Sequence, residues 1–303
     1  MEIKASDVKE LREKTGAGMM ECKKALQHCN GDAKEAEKYL KEKGLAAVEK
    51  RADRATTEGV IIVKGDEKHI AMVELTCETD FVAKNEDFIA VGNEIADEVC
   101  NKNINEVTDS LNTKLLDLAT RVRENMSLSR VMSINAKMLD LATRVRENMS
   151  LSRVMSIKAK DDEYIATYVH SDKKTGVVVV LKADKKEALT NSDVKQFAFD
   201  CCLHMAAFLP SYITVEDVDP LYIAEQTEIF KGQVAELDKP ENVKEGIVKG
   251  KINKHLSEVC FVEQMFVKDD KVSVKTKLQE VGKKAGCTLE FSKVVLWQLG
   301  IKK

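Results

Sequence analysis

The sequence predicts an α+β protein, because three kinds of apolar pattern follow one another along it. Residues 1–54 carry apolar side chains at helical spacing, and so does the stretch holding Phe88, Val91, Ile95 and Val99. Two pairs of short apolar runs, Val60 to Val63 with Ile70 to Leu75 and Tyr164 to Val169 with Val177 to Ala183, flank turn residues and read as antiparallel hairpins. Between Asp219 and Glu258 two helical patterns are joined by Asp238-Lys239-Pro240, the mark of an antiparallel helical hairpin. The expected architecture is a three-helix module, a core of antiparallel sheets flanked by helices, and that hairpin.

In the first module Ser6 is placed to cap a helix bearing Val8 and Leu11, which Gly16 ends. A second helix carries Met20, Cys22, Ala25, Leu26 and Cys29, and Asn30-Gly31 turns the chain. Asp32 and Glu35 form a capping-box pattern for a third, which buries Ala33, Ala36 and Leu40 and stops at Gly44. Met19 and Met20 are neighbours on a helix and point in different directions, so at least one is available to a partner. An Ala-rich, basic connector, Leu45 to Arg54, leads onward.

His69 to Thr76 reads as a strand, and Thr79, Asp80, Phe81 and Val82 fall on its connection to the next helix. Thr and Asp start helices well because their side-chain oxygens accept the first unpaired amide hydrogens. Taken alone, the stretch is a capped strand-to-helix turn whose Phe81 fills the core, since Phe is far more often buried than displayed.

Asn101 to Asn112 is polar and reads as a surface loop. Leu116 to Lys137 and Leu139 to Lys160 are then the same sequence at an offset of 23 residues, differing only at Asn135 against Lys158. Each copy reads helix, turn, strand; two copies are too few for a solenoid and indicate a tandem duplication. The second copy, Leu139 to Ile157, is expected to be the native-like one, because its strand runs through Lys160 directly into the hairpin at Tyr164. A surface loop accepts the surplus copy where a tight strand connection does not.

After the second β-hairpin, a helix capped near Ser192 has Val194, Phe197, Cys201, Met205 and Phe208 on one stripe and ends at Pro210. Asp219-Pro220 opens the helical hairpin, with Ile223, Phe230 and Leu237 every seven residues and Val234 beside them; the return helix carries Val243, Ile247, Ile252 and Leu256. The last portion mixes strands, Cys260 to Val267 and Thr288 to Trp297, with a helix around Val274, Leu278 and Val281.

Composition narrows the function. The chain of 303 residues has room for two or more domains, and its 48 Lys and Arg against 51 Asp and Glu leave a net charge of -3. That balance argues against a dedicated nucleic-acid binder. The eight cysteines are scattered without a Cys-x-x-Cys pair or a histidine cluster at zinc-ligand spacing, so they are expected to be reduced, mostly buried thiols, with no metal and no cofactor. The amino terminus is polar and no run of eighteen apolar residues occurs, which predicts a soluble cytoplasmic protein without a membrane partner. Gly16-Ala17-Gly18 follows no strand and lacks the Gly-Lys-Ser/Thr of a phosphate loop. No catalytic constellation is present, so an enzyme is not expected.

Cys77-Glu78-Thr79-Asp80-Phe81-Val82-Ala83-Lys84-Asn85 resembles the signature of bacterial elongation factor Ts, the guanine-nucleotide exchange factor of elongation factor Tu. Leu11 to Leu26 resembles the amino-terminal motif of the same family, in the expected order and spacing. The resemblance spans almost the whole chain. It implies a ubiquitin-associated-like first domain that touches elongation factor Tu through Arg12, Met19, Met20 and Lys23. It also implies that Thr79, Asp80, Phe81 and Val82 dislodge the magnesium ion of GDP-bound elongation factor Tu, and that both the GDP-bound and the nucleotide-free forms of elongation factor Tu are bound. Val145 and Arg146, or their duplicates Val122 and Arg123, and His170 are the further contacts it implies. The helical hairpin would project as a coiled coil, used either for a homodimer or for touching elongation factor Tu. Two departures stand out: Met265 replaces the proline usual before the Phe-Val pair, and the chain stops at Lys303 without the long extension some members have.

The domains expected are 1–54; 55–160 with the duplication; 161–218 together with 259–303; and 219–258 for the hairpin. The competing reading is a translation-linked RNA-binding protein with Lys50, Arg51 and Arg54 as a basic patch, which would show salt-sensitive RNA binding.

Overall fold

The computed structural model describes residues 3–15, 17–49, 54–106, 141, 145 and 147–301. Within them the protein is α+β, and it divides into two compact units: 1–64, 71–157 and 298–303 form one, and 65–70 with 158–297 the other. The first copy of the duplication, 116–134, lies outside the described residues, as do Gly16, Lys50, Arg51, Leu139 and Arg146.

The amino-terminal helices are α1 (Ala5–Thr15), α2 (Met19–His28) and α3 (Ala33–Glu49). They enclose a small core of Val8, Leu11, Cys22, Ala25, Leu26, Ala36 and Leu40. Helix α1 begins one residue before the expected cap: the Lys4 carbonyl accepts the Val8 amide at 3.3 Å, and the Ser6 hydroxyl is spent on Asp7. Asp32 does accept the amides of Lys34 and Glu35, at 2.9 and 3.0 Å. The reciprocal half of the capping box is replaced by a bond from the Asp32 amide to the Cys29 carbonyl. Helix α3 continues through Gly44 to Glu49, and Ala33 is exposed. One interior glycine costs about 1 kcal/mol, which the strong helix formers around it offset.

The first unit holds most of the sheet β1 (Glu58–Gly65), β2 (His69–Cys77) and β3 (Met149–Lys158), with β2 in the centre, while the strand-end residues Gly65, His69, Ile70 and Lys158 belong to the second unit. Gly59 lies against Leu75 and Thr76, and Gly65 against His69 and Ile70, the pairing order of an antiparallel hairpin. At Gly65 φ is +123° and a Cβ would stand 2.1 Å from the His69 carbonyl oxygen, so only glycine serves there. Helix α5 (Glu86–Lys102) lays Phe88, Ile95, Ala96 and Val99 on Val60, Ile62, Ala71, Val73, Leu75, Leu151 and Val154. Its approach is close: a Cβ on Gly92 would meet Ile62 Cδ1 at 2.4 Å. The strand of the second copy is thus β3, and Leu141 and Val145 of that copy pack into the same core.

The second unit holds the sheet β4 (Glu163–Val169), β5 (Thr175–Ala183) and β8 (Leu289–Gln298, whose last residue belongs to the first unit), with β5 central. Strands β4 and β5 pair antiparallel from Glu163 opposite Lys182 to Val169 opposite Gly176. Helix α6 (Ser192–Phe208) is capped by Asn191, one residue before the expected position, and buries Val194, Phe197, Cys201, Cys202 and Met205. Phe208 is not on that stripe but 53% exposed, and the helix ends at Leu209 in the left-handed conformation, ahead of Pro210. The expected strand Cys260 to Val267 is mostly a 3₁₀ turn, Phe261–Glu263, leaving only β6 (Met265–Phe266) to pair with β7 (Asp269–Ser273). The apolar run fills the core through Phe261, Val262 and Phe266 without a ladder. Helix α9 (Val274–Ala285) lies between β7 and β8 in sequence.

Helices α7 (Pro220–Ala235) and α8 (Glu241–Val259) run side by side. Tyr222 bonds His255 at 2.8 Å, Lys251 reaches Gln233, and Lys244 reaches the Ala235 carbonyl, the order of an antiparallel pair. Val234 and Val248 are the buried residues. The seven-residue stripe is only partly used: Leu237 falls beyond the helix end and Leu237 and Val243 are each 40% exposed.

One polar pair sits inside the first unit. Glu74 of β2 is fully buried and accepts from Arg153 of β3 at 2.5 Å, while Arg153 also donates to the Gln298 carbonyl at 2.9 Å. The other Glu74 carboxylate oxygen accepts no hydrogen bond among the described residues. Removing one partner strands a charge in the interior, whereas removing both does not. Arg153→Met is therefore expected to lower stability in urea by about 3–5 kcal/mol. The double change Glu74→Met with Arg153→Met should recover most of that loss.

Candidate functional site

Strand β2 ends at Cys77, and by Ala83, six residues later, the chain has closed a single helical turn, α4 (Asp80–Ala83). So short a helix cannot hold itself, since nucleation fixes several dihedrals for one hydrogen bond. Thr79 caps it, its Oγ1 accepting the Val82 amide at 3.4 Å, and Asn85 then caps α5 by accepting the amides of Asp87 and Phe88. The capped turn expected from the residue types is present. Its aromatic residue is not in the core: Phe81 is 82% exposed, while Val82 beside it is 8% exposed. Burying such a side chain would be worth about 1.5–3 kcal/mol, a contribution that the fold forgoes by leaving the ring outside.

Polar contacts from distant segments hold the turn. The Glu147 carboxylate accepts the Thr79 amide at 3.1 Å and the Thr79 hydroxyl at 2.7 Å. In return Glu78 accepts the Asn148 amide at 2.6 Å and Arg54 at 3.3 Å, and the Asn148 side chain donates to the Arg54 carbonyl at 2.9 Å. Arg54, one of the three residues of the expected basic patch, is thus paired with Glu78. Asp80 is bridged to Lys84 at 2.7 Å, and that hydrogen bond holds its carboxyl below the usual range. The Cys77 thiol, buried beneath the turn, donates to the Thr79 carbonyl at 3.2 Å. Burial, and then the nearby Glu147 charge, push that thiol up to about 12.

The remaining candidates are placed as follows. Arg12 and Lys23 are exposed on α1 and α2, and Met19 and Met20 are 49% and 65% exposed, so both methionines are available. Val145 is half-buried against the first unit's core, and Arg146 lies outside the described residues. His170 is exposed just past β4, its Nδ1 3.1 Å from Asp172, and belongs to the second unit. Glu78, Glu147 and Asn148 escaped the sequence reading as parts of the site, because nothing local to them shows that they face one another. All eight cysteines are free thiols, five of them buried, and among the described residues no group could hold a metal ion and no helix is long and apolar enough to cross a membrane.

The family model for elongation factor TS matches residues 78–301, beginning at the residue that opens this turn. Among curated proteins the chain is 65% identical over 301 residues to the elongation factor Ts of Treponema denticola, covering 99% of each chain. It is 51% identical over 310 residues to that of Treponema pallidum (strain Nichols), covering the whole of both. It is 37% identical over 299 residues to that of Borreliella burgdorferi, covering 98% of this chain and 99% of the other.

The thiol under the turn has a measurable consequence. An unfolded Cys77 ionises near 9.0, whereas the folded one stays protonated up to about 12. The folded form holds the extra proton, so the contribution of Cys77 is complete below pH 9 and is lost as pH rises toward 12. Unfolding midpoints measured from pH 8 to 11 should fall more gently for Cys77→Ala than for the unaltered protein.

Proposed function

We propose, from the premise that this chain belongs to the elongation factor Ts family, that it drives guanine-nucleotide exchange on elongation factor Tu. It is an exchange factor in protein synthesis, not a catalyst of a covalent reaction. A protein that binds the nucleotide-free partner more tightly than the GDP-bound one must, by linkage, weaken GDP binding by the same factor. The observation that carries the reading here is the 82% exposed ring of Phe81 on a turn tied to Glu147 and Asn148.

In this reading Phe81 enters an apolar crevice of the nucleotide-binding domain and displaces the elements that hold the magnesium ion. The diphosphate loses its main counter-charge and leaves. Thr79 sets the start of the turn, Val82 anchors it to the core, and Asp80 offers an acceptor to the partner. Arg12, Met19, Met20 and Lys23 form a second contact on a ubiquitin-associated-like module spanning 1–54. Val145, Arg146 and His170 supply others. The hairpin 219–258 projects from the body, 161–218 with 259–303 forming the second core portion and 55–160 the first. Its exposed Leu221, at 72%, and Ile229, at 51%, suit a helix face that meets either a second copy of this chain or elongation factor Tu.

The test is release of a fluorescent GDP from elongation factor Tu with and without the protein. Phe81→Ala should slow stimulated release by about thirtyfold or more, the effect of removing a binding anchor of about 2 kcal/mol. Its unfolding midpoint should not move, because the ring makes little contact within the fold. Normal exchange by that variant would sink the wedge.

A further inference from the structure

We infer that Glu147 is a positioning residue for exchange, setting the direction of Phe81 through Thr79 without touching the partner; this rests on the exchange reading above. The Thr79 hydroxyl has one proton and two lone pairs. Its proton goes to Glu147 Oε1 at 2.7 Å, which leaves a lone pair to accept the Val82 amide at 3.4 Å. The Thr79 amide, meanwhile, donates to Glu147 Oε2 at 3.1 Å. A single carboxylate therefore holds both ends of the cap residue, and the capping bond is aligned because the hydroxyl proton is already committed.

Phe81 lies between the two residues so linked, Thr79 and Val82. Its backbone direction follows from where the turn starts, and that is where Glu147 acts. No other described side chain accepts from both the amide and the hydroxyl of Thr79. The Lys84 bridge to Asp80 lies on the exposed side, with side chains 77% and 46% exposed, and such pairs contribute little. Only an acceptor-only group fits at position 147. Glutamine has the same shape but would turn an amide donor toward one of two donors of Thr79.

The chain also provides a matched control, since Glu124 is the same residue in the other copy of the repeat. Four variants decide the question: Glu147→Gln, Glu124→Gln, Phe81→Ala, and Glu147→Gln combined with Phe81→Ala. Each is read by stimulated GDP release, by the dependence of that release on factor concentration, and by hydrogen exchange of the Thr79 and Val82 amides in the free protein. Glu147→Gln should speed exchange of both amides and slow GDP release about tenfold or more, the scale of a charge-assisted hydrogen bond. In the Phe81→Ala background it should slow release no further, because its effect passes through that ring. Glu124→Gln should change neither readout. Thr79→Val, which breaks the same bond from the other side, should reproduce the effect if Glu147→Gln folds poorly.

Unchanged protection of Thr79 in Glu147→Gln would overturn the inference, and so would a further tenfold loss in the Phe81→Ala background. Damage from Glu124→Gln with none from Glu147→Gln would overturn it too. Normal exchange by Phe81→Ala alone would fail the wedge reading instead, a separate result from the amide protection that reports the clamp.

Discussion

An aromatic ring can be held out in water in a fixed direction only if the chain behind it cannot move, and here that requirement falls on β2. The strand is paired with β1 on one edge and β3 on the other, and eight of its nine residues are buried. Its burial runs to its last residue, Cys77, and both of its edges are paired. The turn at Glu78 and Thr79 starts from that end. Strand β3 serves it twice, once through the ladder and once through Glu147 and Asn148 just before it, which cross with Glu78 and Thr79. The exposed ring and the central strand are thus parts of one arrangement.

The same strand carries the least comfortable group in the described structure. Glu74 is fully buried in the middle of β2, and Arg153 reaches it from β3. A buried ion pair of this kind is weak evidence of stability, because the desolvation of two charges offsets most of their attraction. It does favour one neighbour over others, since an incorrect strand beside β2 would leave the carboxylate without a cation. Because both copies of the repeat contain the same arginine, at Arg130 and Arg153, this charge does not by itself choose between them. The connection to β4 does, as Lys158 ends β3 and Glu163 begins the next strand.

Much of the site was legible from residue types. Thr before Asp at the end of an apolar strand announced a capped turn, and the turn is capped by Thr79. The same local reading sent Phe81 to the core, and there it failed, because the core beneath is already filled by Val82, Phe88 and Cys77. Met20 was read as an apolar-face residue for a similar reason and is 65% exposed. In both cases burial depends on the volume left by residues far away in sequence, which no periodicity records. The resemblance of the motif to a known family supplied the exposure of Phe81 that its chemistry alone did not.

By itself the sequence determined the fold class, the order of the main helices and strands, the two β-hairpins and the caps at Asp32 and Thr79, because these follow from side-chain period and from which residues can satisfy free amides at a turn. The tertiary structure decided the rest. It carried α3 through Gly44, turned the apolar run at Cys260 into a 3₁₀ segment that fills the core without a ladder, and put Phe81 outside. It also made β3 from the second copy and brought Glu147 to Thr79. Two segments of identical sequence have identical propensities, so only contacts and connections to a third segment can tell them apart. A hydrogen bond between residues 68 positions apart exists only once the sheet has formed.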